Sequence, residues 1–403
     1  MTRNRTMLKV ALLSTCLIWA SINAITANIP EMAKSFPGVE LYVIELIATV
    51  PSLFQMLAVL FSGLVSKFLG LKRTTMLGLL LCGVSGIVPV FIQDFYVLFL
   101  SRCVFGIGCG LIVSSALTLI IGFFDGSERS TMIGLQGSVG GLGSAVSALV
   151  AGQLLAFGWN WSFAVYAFSF VVLALFAAVV PNTMAQDDSA NDEGDKSDGA
   201  TIAGLVFQGA LMFLSILIIT LFVVKASTFI SDRGLGTAQQ GSFAITLISL
   251  GSLVAGALYG RIRSVVKEYA LVAFMAIGAS GFVVAAMSSS LAGIMVAAFL
   301  IGYAMMAIVP HLQENVSLRF GSFGTKGTNL ILVAQALGAF AAPYLGTALG
   351  LFSSDVTTQF LMCAAGLGLL AIVSGVYAKT VRKLTCLQKS LSLPSWPQSL
   401  NIY

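Results

Sequence analysis

The stretch PNTMAQDDSANDEGDKSDGAT, residues 181–201, is the one long polar interruption in this chain. It sets Asp187, Asp188, Asp192, Glu193, Asp195 and Asp198 against a single lysine, Lys196, with Ser and Gly between them. Such a segment lacks the apolar side chains to form a core and reads as a flexible, solvated acidic tether. On either side lie roughly 180–200 residues of nearly continuous apolar sequence, each divisible into about six segments of membrane-spanning length. The fold class that follows is an all-α integral membrane protein of about twelve transmembrane helices in two pseudo-symmetric bundles.

Composition supports lipid as the solvent. Of 403 residues, 58% are hydrophobic and only 9% charged, where a soluble domain carries roughly a quarter charged residues. The six cysteines, Cys16, Cys82, Cys103, Cys109, Cys363 and Cys386, are scattered through apolar sequence with no CxxC pair and no Cys/His cluster. They read as packing residues, so no metal, no cofactor and no disulfide framework is expected.

The expected spans are 10–27, 41–67, 74–92, 95–124, 130–157 and 161–180 in the first half. In the second half they are 202–230, 242–259, 269–287, 291–309, 328–351 and 357–377. This divides the chain into an N-terminal six-helix bundle (1–181), an acidic linker (182–201), a C-terminal six-helix bundle (202–380) and a tail (381–403). The opening residues, with Arg3, Arg5 and Lys9 before an apolar run, also fit a signal peptide. Cleavage would remove one span and put the basic C-terminus on the wrong side, so the segment is kept as span 1. With both termini cytoplasmic, 17 of the 21 basic residues fall on the inner side, a strong positive-inside pattern for a multi-pass protein of the plasma (inner) membrane. Topology thus accounts for the net charge of +5, and a nucleic-acid partner is not needed.

An internal repeat supports the two-bundle reading. GLVSKFLGLKR, beginning at Gly63 after span 2, is echoed by GALYGRIR, beginning at Gly256 after span 8. Two equivalent bundles around a midplane site are the architecture of a rocker-type transporter.

At these residues the chain resembles the major facilitator superfamily over essentially its whole length. The family's loop motif reads Gly-x-x-x-Asp-Arg-x-Gly-Arg-Lys, and Gly63, Gly70, Lys72 and Arg73 fit it, while Lys67 and Phe68 stand where the Asp and Arg would be. Arg102 with Gly106, Gly108 and Gly110 resembles the family's span-4 signature. The resemblance implies alternating access and, for Arg102, a role in proton coupling or in binding an anionic group. The drug:proton antiporter branch is similar around Gly158-Trp159-Asn160-Trp161-Ser162-Phe163. Its Gly-Pro-x-x-Gly-Gly motif is missing its proline in span 5 and finds a closer echo in Ala342-Pro343-Tyr344-Leu345-Gly346-Thr347 of span 11.

Several polar residues inside apolar sequence are candidates for function. Arg102 and Lys225 each place a cation within a span, where it is expensive. Each either snorkels or faces a central cavity, and two such cations would make that cavity positive and favour an anionic substrate. Glu45 heads a stripe with Thr49 and Ser52 on one face of span 2. It either meets water at the interface or carries a coupling proton, since apolar surroundings favour the neutral carboxyl. In span 1, Thr15, Trp19, Asn23 and Thr26 share a face at 100° per residue, lining the cavity or bonding neighbouring helices. Gln55, Gln136, Gln208 and Gln335 are further groups able to orient a ligand. The glycines of span 5, Gly134, Gly137, Gly140, Gly141 and Gly143, allow close helix packing. They do not form a nucleotide site, because no Walker sequence is present. His311, the sole histidine, lies with Glu314 at the cytoplasmic end of span 10, where it reads as a solvated loop residue, with a pH-sensing role as the alternative.

These residues predict a secondary active transporter, a monomer in the lipid bilayer, moving a small-molecule substrate with protons as the coupling ion. The expected mode is efflux of an organic anion or amphiphilic compound, with uptake of a small anionic nutrient as the alternative. Enzyme chemistry is not expected, because the spans hold no Ser/His/Asp or metal constellation.

Overall fold

The computed structural model describes residues 2–181, 199–266, 269–319 and 324–391. The acidic stretch 182–198, residues 267–268 and 320–323, and the tail beyond Leu391 lie outside the described residues. Twelve segments are long and apolar enough to cross a membrane. A backbone in lipid must satisfy its own polar groups, and the helix does so within each segment.

The first half comprises α1 (Thr2–Trp19), α2 (Ile29–Ser35), α3 (Leu41–Leu69), α4 (Leu71–Phe91), α5 (Phe95–Phe123), α6 (Gly126–Leu154) and α7 (Phe168–Val179). The second comprises α8 (Gly199–Asp232), α9 (Ala238–Val266), α10 (Ala270–Met287), α11 (Leu291–Arg319), α12 (Gly324–Gly350) and α13 (Val356–Leu391). Each half has an apolar interior of its own. Phe105 and Tyr166 pack at 4.5 Å in the first, and Phe222, Phe282 and Phe360 meet at 5.5–5.9 Å in the second. Six crossings per half put Pro181 and Gly199 on one side with both described chain ends; this is the linker side, and its opposite the far side.

The structure redraws several expected boundaries. Span 1 is α-helical only to Trp19; two 3-10 turns, Ala20–Asn23 and Thr26–Asn28, lead into α2. The 100° spacing assumed for Trp19, Asn23 and Thr26 therefore does not hold there. Span 6 likewise begins as a 3-10 helix, Trp161–Ala167. Span 10 does not stop before Pro310, which lies inside α11. Membrane helices tolerate such prolines when neighbours satisfy the freed carbonyl. The helix of span 12 runs on to Leu391, and that of span 7 starts at Gly199, inside the segment read as linker. Gly63 and Lys67 belong to α3, and Gly256–Arg263 to α9, so neither half of the repeat is a loop. The turn itself is the single residue Gly70, whose φ of 80° suits glycine.

The halves share a repeated scaffold. α5 and α11 are both 29 residues long, as are α3 and α9. Asp94 caps α5 by accepting from the Tyr96 and Val97 amides at 2.9 and 3.0 Å. Ser290, at the equivalent place in the second half, accepts from the Gly293 amide at the start of α11. A Cβ on Gly106 would overlap the Pro51 carbonyl of α3, and one on Gly302, its counterpart in α11, would overlap the Ile248 carbonyl of α9. Glycine at these positions lets the paired helices touch backbone to backbone.

The two halves meet through α3 with α12 and α6 with α9. Ser144 and Ser249 hydroxyls lie 2.9 Å apart, Gln239 donates to Gln153 at 2.9 Å, and Ser227 donates to the Ala27 carbonyl at 2.9 Å. Gly141 faces Leu253 closely enough that a Cβ there would stand 3.7 Å away. The Gly141–Leu253 contact lies at mid-depth, and the hydrogen bonds lie toward the far side, where α3 and α9 begin and α6, α8 and α12 end.

Candidate functional site

On that far side, one ion pair joins the halves. Lys225 of α8 brings its Nζ to 2.7 Å from Glu45 Oε1 of α3. Glu45 is fully buried and the Lys225 side chain is 13% exposed. Glu45 Oε2 has no hydrogen-bond partner. One turn along α3, Thr49 donates to the Phe340 carbonyl of α12 at 3.4 Å, and Tyr42 stands against Tyr344 at 6.0 Å. Glu45 is thus neither at a water interface nor alone, and Lys225 does not snorkel. Each is the other's reason for being buried, since either charge without its partner would cost several kcal/mol. Opposite charges also cancel, so Lys225 does not make the space between the halves positive.

Gly346 of α12 shapes this site. A Cβ there would lie 3.1 Å from Lys225 Cε and 3.0 Å from Leu221 Cδ1. The glycine of the span-11 motif therefore leaves the channel along which the lysine stem reaches Glu45. Sequence reading missed this role, although Pro343 and Gly346 stand out there as a motif.

Arg102 is also buried, at 1% exposure, but within the first half. Its Nε donates to the Ile47 carbonyl at 3.3 Å and one terminal nitrogen to the Ile22 carbonyl at 2.9 Å. The guanidinium sits over the Phe105 and Tyr166 rings at 4.6 and 5.4 Å, and Tyr166 donates to the Ser21 carbonyl. Backbone oxygens and ring faces replace water around the cation. The expectation that Arg102 and Lys225 share a positive cavity is therefore corrected: Arg102 is enclosed within the first half, where it binds the chain just past α1 to α3 and α5.

Of the span-1 stripe, Thr26 is buried and donates to the Asn23 carbonyl at 2.8 Å, so it turns the chain and does not face a ligand. Trp19 and Asn23 are half-buried. Trp19 packs beside Gly140, and Gly143 packs on Leu17, so these span-5 glycines seat α1 on α6. Trp19 Nε1 has no hydrogen-bond partner, and Gln136 lies beside Cys16 on the same surface. Gln55 and Gln335 are half-buried on α3 and α12. Gln208 is 1% exposed and lies in the second half with His311, away from Glu45. Lys72 donates to the Ala177 carbonyl at 2.8 Å and so fastens α4 to the end of α7, while Lys67 and Arg73 are exposed.

His311 differs most from expectation. It is 4% exposed, inside α11, with its Nδ1 3.4 Å from the Tyr259 hydroxyl. Tyr259 donates to Glu314 Oε2 at 2.9 Å, and Glu314 pairs with Arg263.

Comparison with known proteins agrees with this architecture. The Major Facilitator Superfamily model matches residues 11–343. A multidrug transporter, AQR1, from Candida glabrata is 28% identical over 154 residues, covering 38% of this chain and only 26% of that relative's own length. A peptide transporter, POT, solved with alafosfalin has a TM-score of 0.76 at 12% identity, over 94% of this chain and 95% of that one. The human organic anion transporter MFSD10 (TETRAN) gives 0.66 at 18% identity, over 92% and 99%. At those identities the solved structures speak for the fold alone. The twelve spans, the repeated bundles and the family match together make the chain a member of the Major Facilitator Superfamily, a transporter and not an enzyme.

Proposed function

We propose that the protein is a proton-coupled exporter of small organic anions or amphiphiles, with the Glu45–Lys225 pair as the point where proton and substrate compete. The observation that carries this reading is the buried 2.7 Å contact between the two halves. A proton on Glu45 would cancel its hold on Lys225, and the freed ammonium could then bind an anionic group of the substrate. Alternating access requires such a tie to form and break once per cycle. A buried pair suits this because desolvation offsets most of its attraction, so the intact pair is only marginally favourable, whereas either charge left alone is costly. The far-side contacts make the structure a far-side-closed conformer. The distribution of Lys and Arg supports the linker side as cytoplasmic and a plasma-membrane, monomeric setting. The match to a multidrug transporter favours export, and the likeness to an organic anion transporter is compatible with an anionic cargo. Uptake of a small anionic metabolite is the second reading, favoured by Lys67 in place of the family's Asp.

Inside-out vesicles with an imposed proton gradient and a pH-sensitive dye test this directly. Organic anions, added beside lipophilic cations and neutral amphiphiles, are expected to collapse the gradient with the wild type. Glu45→Gln is expected to abolish that collapse while retaining exchange of substrate for substrate. Undiminished proton coupling in Glu45→Gln would remove the pair from the mechanism. Accumulation of an anion only by vesicles of the opposite orientation would establish uptake.

A further inference from the structure

We infer that His311 is a proton-binding site of the second half, wired through Tyr259 to the Glu314–Arg263 pair. The hydrogen-bond directions fix its chemistry. A carboxylate can only accept, so the Tyr259 proton goes to Glu314 Oε2 at 2.9 Å. The Tyr259 oxygen is then an acceptor toward His311 Nδ1 at 3.4 Å, which places the proton of the neutral ring on Nδ1 and leaves Nε2 unprotonated. His311 also lines a small cavity with Gln208, Asn315, Ser374 and Tyr377, between α8, α10, α11 and α13. Gln208 Oε1 is buried there without a hydrogen-bond partner, an acceptor with no donor. A proton arriving on Nε2 turns that nitrogen into a donor on the same cavity. Proton uptake would place the imidazolium beside the Glu314 carboxylate, with the Tyr259 hydroxyl between them.

Other groups facing the ring set the balance. From α9 come Tyr259 and Arg263, from α11 Glu314, from α13 Tyr377, from α8 only Gln208 and from α10 the edge-on ring of Phe274 at 6.2 Å. Among the described residues, Arg263 is the cation in this set, and it shares Glu314. A second positive charge at His311 competes for that carboxylate, so protonation loosens the tie between α9 and α11 on the linker side. The site lies in one half and owes nothing to the Glu45–Lys225 reading.

His311 is the only histidine in the chain, so ring-labelled histidine in the intact, Strep-tagged protein in nanodiscs gives one NMR signal. The neutral form is expected to show the Nδ1–H tautomer, and the signal to titrate between pH 5 and 8. Glu314→Gln is expected to lower the midpoint by about one unit or more, and Tyr259→Phe to shift the tautomer toward Nε2–H. A signal that stays fixed over this range in the wild type, or a midpoint unmoved in a folded Glu314→Gln, would overturn the inference. Because the wild-type titration needs no variant and no substrate, it remains decisive if a variant misfolds or if transport is not detected.

Discussion

The two halves place equivalent helices against each other and fill them with opposite chemistry. In α5, Arg102 is held by two carbonyls and two rings; at the matching position of α11 stands Ala298, fully buried. Toward the linker side the imbalance reverses. In the first half, Ser62 of α3 donates to Ser114 of α5 at 2.6 Å, and Thr75 of α4 meets Ser115 of α5 at 2.7 Å. At the matching contact of α9 and α11 stand Tyr259, Arg263, His311 and Glu314. The glycines that set helix spacing, Gly106 and Gly302, are common to both. The scaffold is therefore a property of the small residues, whereas the charges belong to each half separately. One half uses its buried cation to fix helix ends, and the other keeps its ionisable groups where they can change state.

The largest break in this comparison would come from moving the cation. Ala298→Arg would put a guanidinium among side chains that offer it no arranged carbonyls, at a cost of about 3 kcal/mol or more. We expect loss of the monodisperse peak in detergent size-exclusion chromatography. A folded Ala298→Arg would mean that both halves contain the same cation seat and that the asymmetry is accidental.

A break of comparable size concerns the tie between halves. Lys225→Met leaves Glu45 buried and unpaired, which costs about 3–5 kcal/mol, while Lys225→Met with Glu45→Gln removes both charges and recovers most of it. Thermal unfolding followed by tryptophan fluorescence should rank the two variants in that order. Equal losses would indicate that the lysine acts through its stem packing and not its charge. Gly346→Ala sharpens the same point. The added Cβ, 3.1 Å from Cε of Lys225, should cost about 1–3 kcal/mol in wild type and less in Lys225→Ala, a coupling that a double-mutant cycle measures.

How much of this was legible in the sequence follows from what carried each feature. The twelve spans and the two bundles came from apolar run length and from the polar interruption between the halves. The ends of α11 and span 1 did not, because Pro310 looks like a helix stop and 3-10 turns leave no periodic trace. Glu45 and Lys225 are each conspicuous as charges in apolar sequence, yet they stand in opposite halves of the chain. Nothing local states that α3 and α8 face one another at those depths. A lone acid in one half and a lone base in the other, both near the far side, is the available clue. Arg102 misled because a buried cation is read as a ligand for substrate. Instead, the Ile22 carbonyl in the 3-10 turn after α1 and the Ile47 carbonyl of α3, which Pro51 leaves without an amide donor, take two of its nitrogens and leave one terminal nitrogen unpartnered.

The smallest expected effect lies at the rim of the first half. Glu128, at the start of α6, holds Arg5 at 2.6 Å and Lys9 at 2.7 Å, reaching both from α1. Lys9, with Arg5 beside it, keeps the Glu128 carboxyl below its ordinary value of 4.5. A carboxyl shifted down in the folded state contributes stability that is present above 4.5 and is lost as pH falls through its lower, folded value. Glu128→Gln should therefore lower the unfolding temperature slightly at pH 7 and not at all at strongly acid pH. Because all three side chains are partly exposed, about 0.5 M salt should erase the difference even at neutral pH. Glu314→Gln provides the contrast in the second half. Its carboxylate, 36% exposed against 32% for Glu128, pairs with Arg263 but also accepts from the neutral Tyr259 hydroxyl. Salt should therefore erase the ion-pair share of its effect and leave the share due to that hydrogen bond. If the two substitutions respond to salt alike, the Tyr259 hydrogen bond contributes nothing of its own, and the difference between the halves reduces to Arg102 alone.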